Sequence, residues 1–201
     1  MPKFMKNEEI YREIFINNTL RLVSEGGFEA ATTRAIAGDR REINNVRVNE
    51  AHIYRIYGKK EHLFAEVFSM LDCELLTAVK AGLDDFEREA DPKKQWENMF
   101  YLLWNFVMQH EDRCRYYIRY YYSVYFTGES LRSHTSRFRD FVCDMMPYFV
   151  EKADVCAILQ HVVTVVLSFA TCVYNGTMEN DKDNVHHVFT VVYASIAPYL
   201  R

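Results

Sequence analysis

One stretch of the chain, from Val48 to Phe64, carries side chains suited to bind phosphates and base edges. It reads V-N-E-A-H-I-Y-R-I-Y-G-K-K-E-H-L-F, so amide, imidazole, phenol and ammonium groups lie close together in sequence. Such groups donate hydrogen bonds to phosphate oxygens and to bases. Lys59 and Lys60 precede an apolar helical series, where they oppose the helix macrodipole. A phosphate at that helix start would meet N–H groups and ammonium groups together; the alternative is that both lysines are solvated.

Two helices must position these groups. Asn49 is a good N-cap, Ile53 and Tyr57 share one helical face, and Gly58 is suited to end the helix. The resulting helix of about eight residues is too short to be stable alone, so its neighbours must hold it. The next helix begins near Lys60, and its apolar residues recur at helical spacing: Leu63, Phe64, Val67, Phe68 and Leu71.

The residue order resembles the helix-turn-helix of the tetracycline-repressor (TetR) family of bacterial transcription regulators. That family's pattern is V-S-x-G/A-x-L/I-Y-x-x-F/Y-x-x-K-x-x-L-F, and it is matched by Val48, Asn49 in place of Ser, Ala51, Ile53, Tyr54, Tyr57, Lys60, Leu63 and Phe64. Upstream, G-F-E-A-A-T-T-R-A-I-A at 27–37 resembles the family's G-F/Y-x-A-T-T/S-x-x-x-I-A. The two blocks together make the resemblance specific.

The resemblance implies a role for each matching residue. It implies that the third helix reads bases in the major groove while the second crosses the DNA backbone. His52 is the best candidate for base reading, because its neighbour Ala51 is small enough for close approach. The implied base-facing residues are Asn49, Ala51 and His52, the implied phosphate contacts are Tyr54, Tyr57 and Lys60, and the implied supporting residues on the second helix are Thr33 and Arg34.

One segment departs from the family. Between Ala37 and Val48 lie ten residues, G-D-R-R-E-I-N-N-V-R, where the family has about four. Three readings stay open: a solvated loop, a segment that adds phosphate contacts through Arg40, Arg41 and Arg47, or a change that removes ordinary operator binding. Residues 39–43 could also extend the second helix.

Charge and composition limit the class of protein. The chain has 201 residues, 49% hydrophobic and 26% charged, which is typical of a soluble globular protein. Its formal net charge is −4, yet residues 34–60 carry seven basic side chains against three acidic ones. A small basic region on an acidic body suits a site-specific DNA binder better than a general one.

The start of the chain has no secretory signal, and the most apolar run, Val162 to Tyr174, is too short for a bilayer span. Five scattered cysteines without a C-x-x-C pair indicate reduced thiols of a cytoplasmic protein.

The pattern of apolar residues predicts an all-α fold of about nine helices. Seven glycines and four prolines are few, which favours long helices. We expect a three-helix helix-turn-helix domain at 1–66, joined by a long helix to a helical bundle at 67–201. The helix predicted from Asp154 to about Asn175 is apolar on nearly all sides, so a second subunit is expected to cover it and the last helix. The resemblance implies the same homodimer, which would present two reading helices to a pseudo-palindromic operator in double-stranded DNA.

Aromatic residues are dense in the predicted bundle. The chain holds 14 Tyr and 14 Phe, and buried phenols need hydrogen-bond partners. An ordinary aromatic core is the simplest explanation, but the family resemblance favours a pocket for a small apolar or aromatic effector. The residues predicted to line it are Trp104, Met108, Tyr121, Phe141 and Met145.

No enzyme or metal motif is found in the sequence. The H-E-x-x-H and G-x-S-x-G motifs and Gly-rich phosphate loops are absent, and no Glu has a His three residues later. His186-His187 near Asp181 and Asp183 does not predict a metal site, because adjacent helical residues point apart. We therefore predict no catalytic activity, no metal and no cofactor.

Two functional hypotheses follow. The first is a cytoplasmic, dimeric, ligand-responsive DNA-binding regulator, a repressor that releases its operator when the effector binds. The second is a helical protein that sequesters an apolar ligand or partner, with its operator binding altered or lost through the segment at 38–47.

Overall fold

Helices account for most of the chain. The computed structural model describes residues 3–38, 42–43, 46–83, 86, 89 and 91–201, and for residues 3–7, 42–43 and 46–47 it describes the backbone alone. Within those ranges it has nine α-helices and two short 3-10 helices, as the all-α prediction requires. The α-helices are α1 Lys3–Gly26, α2 Thr33–Ala37, α3 Glu50–Tyr57, α4 Lys60–Lys80, α5 Pro92–Gln109, α6 Glu111–Tyr121, α7 Gly128–Met145, α8 Val155–Tyr174 and α9 Lys182–Ile196. The 3-10 turns, Met146–Tyr148 and Ala197–Tyr199, each contain a proline and follow α7 and α9.

Short polar side chains begin several of these helices. Asp91 caps α5 by accepting the backbone N–H of Lys93 at 2.9 Å, and Pro92 fills the first helical position. Asp154 accepts the backbone N–H of Ala157 at 3.0 Å, and Asp181 accepts that of Asn184 at 2.8 Å. Each aspartate is therefore the N-cap of the helix that follows it, as the sequence predicted for Asp154.

One predicted helix ends earlier than expected. The run of aromatic residues after Glu111 predicts a helix that is broken at Thr127-Gly128, whereas α6 ends at Tyr121. The Ser123 hydroxyl donates to the backbone oxygen of Tyr120 at 2.8 Å and accepts the backbone N–H of Tyr125 at 3.1 Å. A serine that bonds its own backbone in this way competes with the helix, so the chain turns here.

The segment between α2 and α3 contains a small β-hairpin. Helix α2 ends at Ala37, and Gly38 follows at a φ of 74°. Strand β1, Glu42–Ile43, pairs antiparallel with β2, Val46–Arg47. The predicted extension of α2 through residue 43 is therefore wrong at 42–43. Arg40 and Arg41 lie outside the described residues, and the side chain of Arg47 is not described, so their phosphate contacts stay a prediction.

The chain divides into two compact units. Unit 1 comprises Met1–Asp72 and Asp112–Arg132, and unit 2 comprises Cys73–Glu111 and Ser133–Arg201. The boundary passes through α4. These units describe compactness, and the functional division at 66/67 stays a prediction.

Unit 1 has an aromatic core. The ring of Phe28 lies 4.9 Å from that of Phe64 and 4.7 Å from that of Tyr125, and Phe68 packs 4.7 Å from Tyr120. The phenol of Tyr116 donates to the backbone oxygen of Phe64 at 2.9 Å. Helix α6 therefore completes the core beneath the helix-turn-helix.

Helix α6 is also tied to α1 near its C-terminal end. Arg119 donates to the backbone oxygen of Val23 at 2.7 Å.

Burial, reinforced by the nearby Tyr120, raises the pKa of Tyr116 well above its ordinary value. This phenol therefore stays neutral and continues to donate throughout the physiological pH range.

Unit 2 has its own aromatic core, with Trp96 between Phe86 and Phe149 at centroid distances of 5.1 and 5.4 Å. Trp104 is buried, and its indole N–H donates to the side-chain oxygen of Asn180 at 3.0 Å. Residues near Arg201 pair with the segment after α7, since the backbone N–H of Val150 donates to the oxygen of Tyr199 at 2.8 Å.

Helix α8 is apolar, and the described part of the chain leaves much of it uncovered. Only 22% of its most apolar 18-residue window is buried. Four of its half-covered apolar residues recur at spacings of four, three and four: Ile158, Val162, Val165 and Phe169. This spacing is typical of a helix–helix seam. The helix has 20 residues, so by length and composition alone it would also reach across a bilayer, in contrast to the shorter run considered from sequence.

Candidate nucleic-acid interface

Helix α3 presents one face to solvent and buries the other. Ile53 is fully buried and Tyr57 is 7% exposed, whereas Tyr54 is 54% exposed. Glu50 and Ala51 are exposed as well, and Glu50 lies one turn before Tyr54 on the same face. The outward face therefore combines a carboxylate, a methyl group and a phenol.

Both ends of α3 are fixed by local hydrogen bonds. Asn49 is the N-cap, as predicted, with an extended backbone, and its N–H donates to Nδ1 of His52 at 3.2 Å. At the other end the N–H of Gly58 donates to the backbone oxygen of Tyr54 at 2.9 Å. Gly58 has a φ of 74°, which a residue with a Cβ adopts only with strain. These contacts hold a helix that is too short to persist alone.

The ring of His52 supports the helix as well as facing outward. It is half-buried and stacks on the ring of Tyr11 from α1, with 4.3 Å between centroids. Because Nδ1 accepts a hydrogen bond, the proton of the neutral ring lies on Nε2. Burial, followed by the nearby Arg55, lowers the pKa of His52. The neutral ring is therefore the form that supports α3, and Nε2 is its remaining donor.

We expect this histidine to make the fold less stable in mild acid. A base whose pKa is lowered by folding binds its proton more readily in the unfolded chain, so this contribution to stability is present above pH 6.5 and is lost as the pH falls below it. Melting temperatures of the wild type and of His52→Asn, measured from pH 7.5 to 5, should diverge at pH 7.5 and converge toward pH 5. Parallel curves would contradict this prediction.

Tyr57 lies inward, beneath an ion-paired arginine. Its hydroxyl is buried and has no hydrogen-bond partner within the described ranges. The guanidinium of Arg12 lies 5.2 Å from the ring centroid and pairs with Glu66 at 3.0 Å and with Glu8 at 3.2 Å. Burial, with the charge of Glu66, raises the pKa of Tyr57 to about 12.

Arg12 keeps its charge in this arrangement. Burial opposes the positive charge, but Glu66 and Glu8 outweigh it and raise the pKa of Arg12. In this arrangement Tyr57 acts as a packing residue between α1, α3 and α4.

Helix α2 is tied to both of its neighbours. The amide of Asn18 in α1 donates to the backbone oxygen of Ile36 at 2.9 Å. Thr32 is the N-cap, because its hydroxyl accepts the N–H of Ala35 at 3.1 Å. The next hydroxyl, on Thr33, donates to Oε2 of Glu50 at 2.9 Å, so α2 and α3 are joined where both begin.

Helix α4 begins next to the end of α3. Lys60 is its first residue and is half-exposed, with its Nζ 5.3 Å from the centroid of the Phe64 ring. Nδ1 of His62 donates to the backbone oxygen of Tyr57 at 2.8 Å, which fixes the turn between the two helices. An ammonium group therefore stands at the start of α4, as the sequence predicted.

Seven of the eight predicted DNA-binding residues are partly or fully exposed. They are Thr33, Arg34, Asn49, Ala51, His52, Tyr54 and Lys60, and the eighth, Tyr57, is buried. The sequence reasoning missed Tyr11, Arg12 and Glu50. No local pattern identifies the first two, because their roles depend on α1 crossing α3. The only signal for Glu50 is that it is one of three acidic residues in the basic region 34–60.

The predicted effector residues are distributed over both units. Trp104, Phe141 and Met145 are buried in unit 2, and Met108 there is half-buried. Tyr121 belongs to unit 1, where its ring lies 4.5 Å from that of Phe126. Ligand binding by these five residues stays a prediction.

No cluster of three metal-ligating side chains is found among the described residues. At the His186-His187 pair, Nδ1 of His186 lies 3.8 Å from Oε1 of Glu97.

Comparison with solved structures identifies the fold. A TetR family transcription regulator from Marinobacter aquaeolei is 18% identical, with a TM-score of 0.70 over 94% of this chain and 97% of the other. A TetR-like transcriptional regulator from Rhodococcus is 18% identical, with a TM-score of 0.63 over 98% of each chain. The fatty acid degradation regulator FadR from Bacillus halodurans is 12% identical, with a TM-score of 0.60 over 90% of this chain and 93% of the other.

Sequence comparison adds nothing to this result. No family model matches the chain, and no curated protein matches it in sequence. The predicted resemblance is therefore confirmed at the level of the fold, over nearly the full length of the solved chains.

Proposed function

We propose that this chain, which has the fold of TetR family regulators, is a dimeric DNA-binding transcription regulator that responds to a small apolar ligand. The observation that carries the proposal is the exposed face of α3, held by α1, α2 and α4 within a fold shared with solved regulators. The surface around α3 carries hydrogen-bond donors that suit DNA, and the small side chain of Ala51 allows bases to approach closely.

The residues divide by what they would touch. Asn49 and Ala51, with Nε2 of His52, are proposed to face base edges in the major groove. Tyr54 and Lys60 are proposed to contact the phosphate backbone, and Thr33 and Arg34 are proposed to support them from α2. Tyr57 is buried, so we propose that it positions α3, and a direct phosphate contact would require its hydroxyl to become exposed.

A second copy of the chain is the proposed cover for α8. The seam of Ile158, Val162, Val165 and Phe169 is matched on α9 by exposed residues at spacings of four and three, namely His187, Val191 and Ala194. A two-fold pair of such helices would form a four-helix bundle and would place two α3 helices on a pseudo-palindromic site. A soluble dimer also accounts for an apolar helix in a chain that we propose to be cytoplasmic.

The proposed ligand response is repression that is relieved by an effector. Trp104, Met108, Phe141 and Met145 supply an apolar environment in unit 2, and the FadR neighbour is named for fatty acid degradation, which favours an apolar effector. The chain passes from unit 1 to unit 2 within α4, so a shift of this helix would move the α3 helices of a dimer relative to each other. The effector must bind the two states with different affinity.

Operator binding is tested with Tyr54→Ala. We expect the affinity for DNA from the chain's own upstream region to fall about tenfold, about 1.4 kcal/mol, while the salt dependence stays unchanged because the phenol carries no charge. Fluorescence anisotropy at several salt concentrations measures both quantities. Tyr122→Ala, which removes another exposed phenol of unit 1, is the matched control and should leave binding unchanged.

If the wild type does not change the anisotropy of the DNA at low salt, the regulator proposal is wrong. The alternative, a protein that sequesters an apolar ligand, is then favoured. Native mass spectrometry of freshly purified protein tests the ligand separately. A co-purified molecule that is added back should weaken DNA binding, and a molecule that binds without changing DNA affinity would contradict the ligand response.

A further inference from the structure

Glu50 is an acidic side chain in the middle of the proposed DNA-facing surface. It is exposed, lies between Asn49 and Ala51, and shares the outward face of α3 with Tyr54. Phosphates repel a carboxylate, so a residue of this charge weakens binding to DNA in general. A carboxylate is favourable in that position only where the DNA offers it a hydrogen-bond donor.

The carboxylate of Glu50 is held in place by a hydrogen bond but does not use all of its acceptor positions. The hydroxyl of Thr33 donates to Oε2 at 2.9 Å, across the junction of α2 and α3. An ionised carboxylate has about four acceptor positions, and no hydrogen bond to Oε1 is found within the described parts of the chain. One oxygen is therefore anchored to the protein, while the other has acceptor capacity to spare.

The major groove offers only two donors, and they differ in their surroundings. Cytosine presents its N4 amino group, whereas adenine presents its N6 amino group beside the acceptor N7. Guanine and thymine present only acceptors at the corresponding positions. A carboxylate is an acceptor alone, so it is attracted to cytosine, is opposed by the neighbouring N7 in adenine and is repelled by guanine and thymine.

We propose that Glu50 is a specificity-determining residue that accepts a hydrogen bond from the N4 amino group of one cytosine in each half-site. The Thr33 hydroxyl is its positioning partner. This inference rests on the proposed function. It adds selection against other bases, because the negative charge of the carboxylate lowers the affinity for every site that lacks the cytosine.

The test uses the full-length wild type, Glu50→Gln and a control. Selection from randomised duplex DNA first yields the preferred site of the wild type. Binding is then measured on duplexes that carry each of the four base pairs at every half-site position. Glutamine retains an acceptor for Thr33 and adds an NH₂ donor, and an amide pairs well with the N6 and N7 of adenine. Glu61→Gln removes one exposed negative charge from the first turn of α4 and serves as the matched control.

We expect wild-type affinity to fall about tenfold when one particular cytosine is replaced, which is the usual scale for a single base contact. Glu50→Gln should move the preference at that one position from cytosine to adenine and leave the others unchanged. Glu61→Gln should raise affinity on all duplexes by a similar small factor without altering base preference. Thr33→Val should reduce the discrimination at the same position severalfold, with the preferred base unchanged.

A Glu50→Gln profile parallel to that of the wild type would overturn the inference, even where overall affinity rises, because Glu50 would then act through charge alone. A selection with no enriched site would overturn the proposed function and this inference together. An enriched site whose preferences do not involve Glu50 would overturn the inference alone.

Discussion

Val165→Glu is expected to convert the protein to a monomer and to weaken operator binding about 100-fold or more. Val165 lies in the centre of the apolar seam of α8 and is partly exposed in the single chain, so a glutamate there can extend its carboxylate to solvent. In a dimer the same charge would be buried without a partner. Two linked reading helices bind far more tightly than one, typically by a factor of about 10² to 10⁴, and this gain disappears with the dimer.

Ala157→Glu is the matched control for this variant. It adds the same charge to an exposed position of α8 that lies away from the seam. Sedimentation velocity and anisotropy should show an unchanged dimer and unchanged DNA affinity for the control. A dimeric Val165→Glu protein would rule out the α8 seam as the subunit interface.

Phe64→Ala is expected to lower the free energy of unfolding by about 3–5 kcal/mol. The ring is fully buried in unit 1 and contacts Phe28 at 4.9 Å and Tyr125 at 5.2 Å between centroids. Its removal leaves a cavity beneath the helix-turn-helix. The hydrogen bond from Tyr116 to the Phe64 backbone oxygen does not need the side chain, so the loss reports packing.

Urea unfolding followed by circular dichroism measures this change. Tyr122→Ala is the control, because Tyr122 is 68% exposed and its removal should change stability by less than about 0.5 kcal/mol. Equal stability of Phe64→Ala and the wild type would contradict the assignment of this ring to the unit 1 core.

The sequence predicted the fold well where local signals agree with packing. Asp154 marked the start of α8, and Asn49 with Gly58 marked both ends of α3. In each case a short polar side chain or a glycine acts on backbone groups a few residues away, so the signal is local. The all-α class and the likeness to TetR regulators followed from such signals.

The sequence was less informative where distant segments meet. It did not predict that His52 stacks on Tyr11, that Arg12 covers Tyr57, or that Thr33 bonds Glu50. These contacts depend on the angles at which α1, α2 and α3 cross, and no spacing along the chain specifies those angles. The early end of α6 had a local cause, Ser123, but a single serine is too weak a signal among the apolar residues around it.

The discontinuity of unit 1 has a consequence for the order in which the chain folds during synthesis. The helix-turn-helix is translated first, but its core is completed by α6 and the segment up to Arg132, about 60 residues after Asp72. At ~5–20 residues per second the ribosome needs roughly 3 to 12 s to supply them. Throughout this interval Phe28, Phe64 and Phe68 lack the aromatic partners that α6 and the segment after it supply. The nascent chain therefore exposes apolar surface that chaperones would recognise.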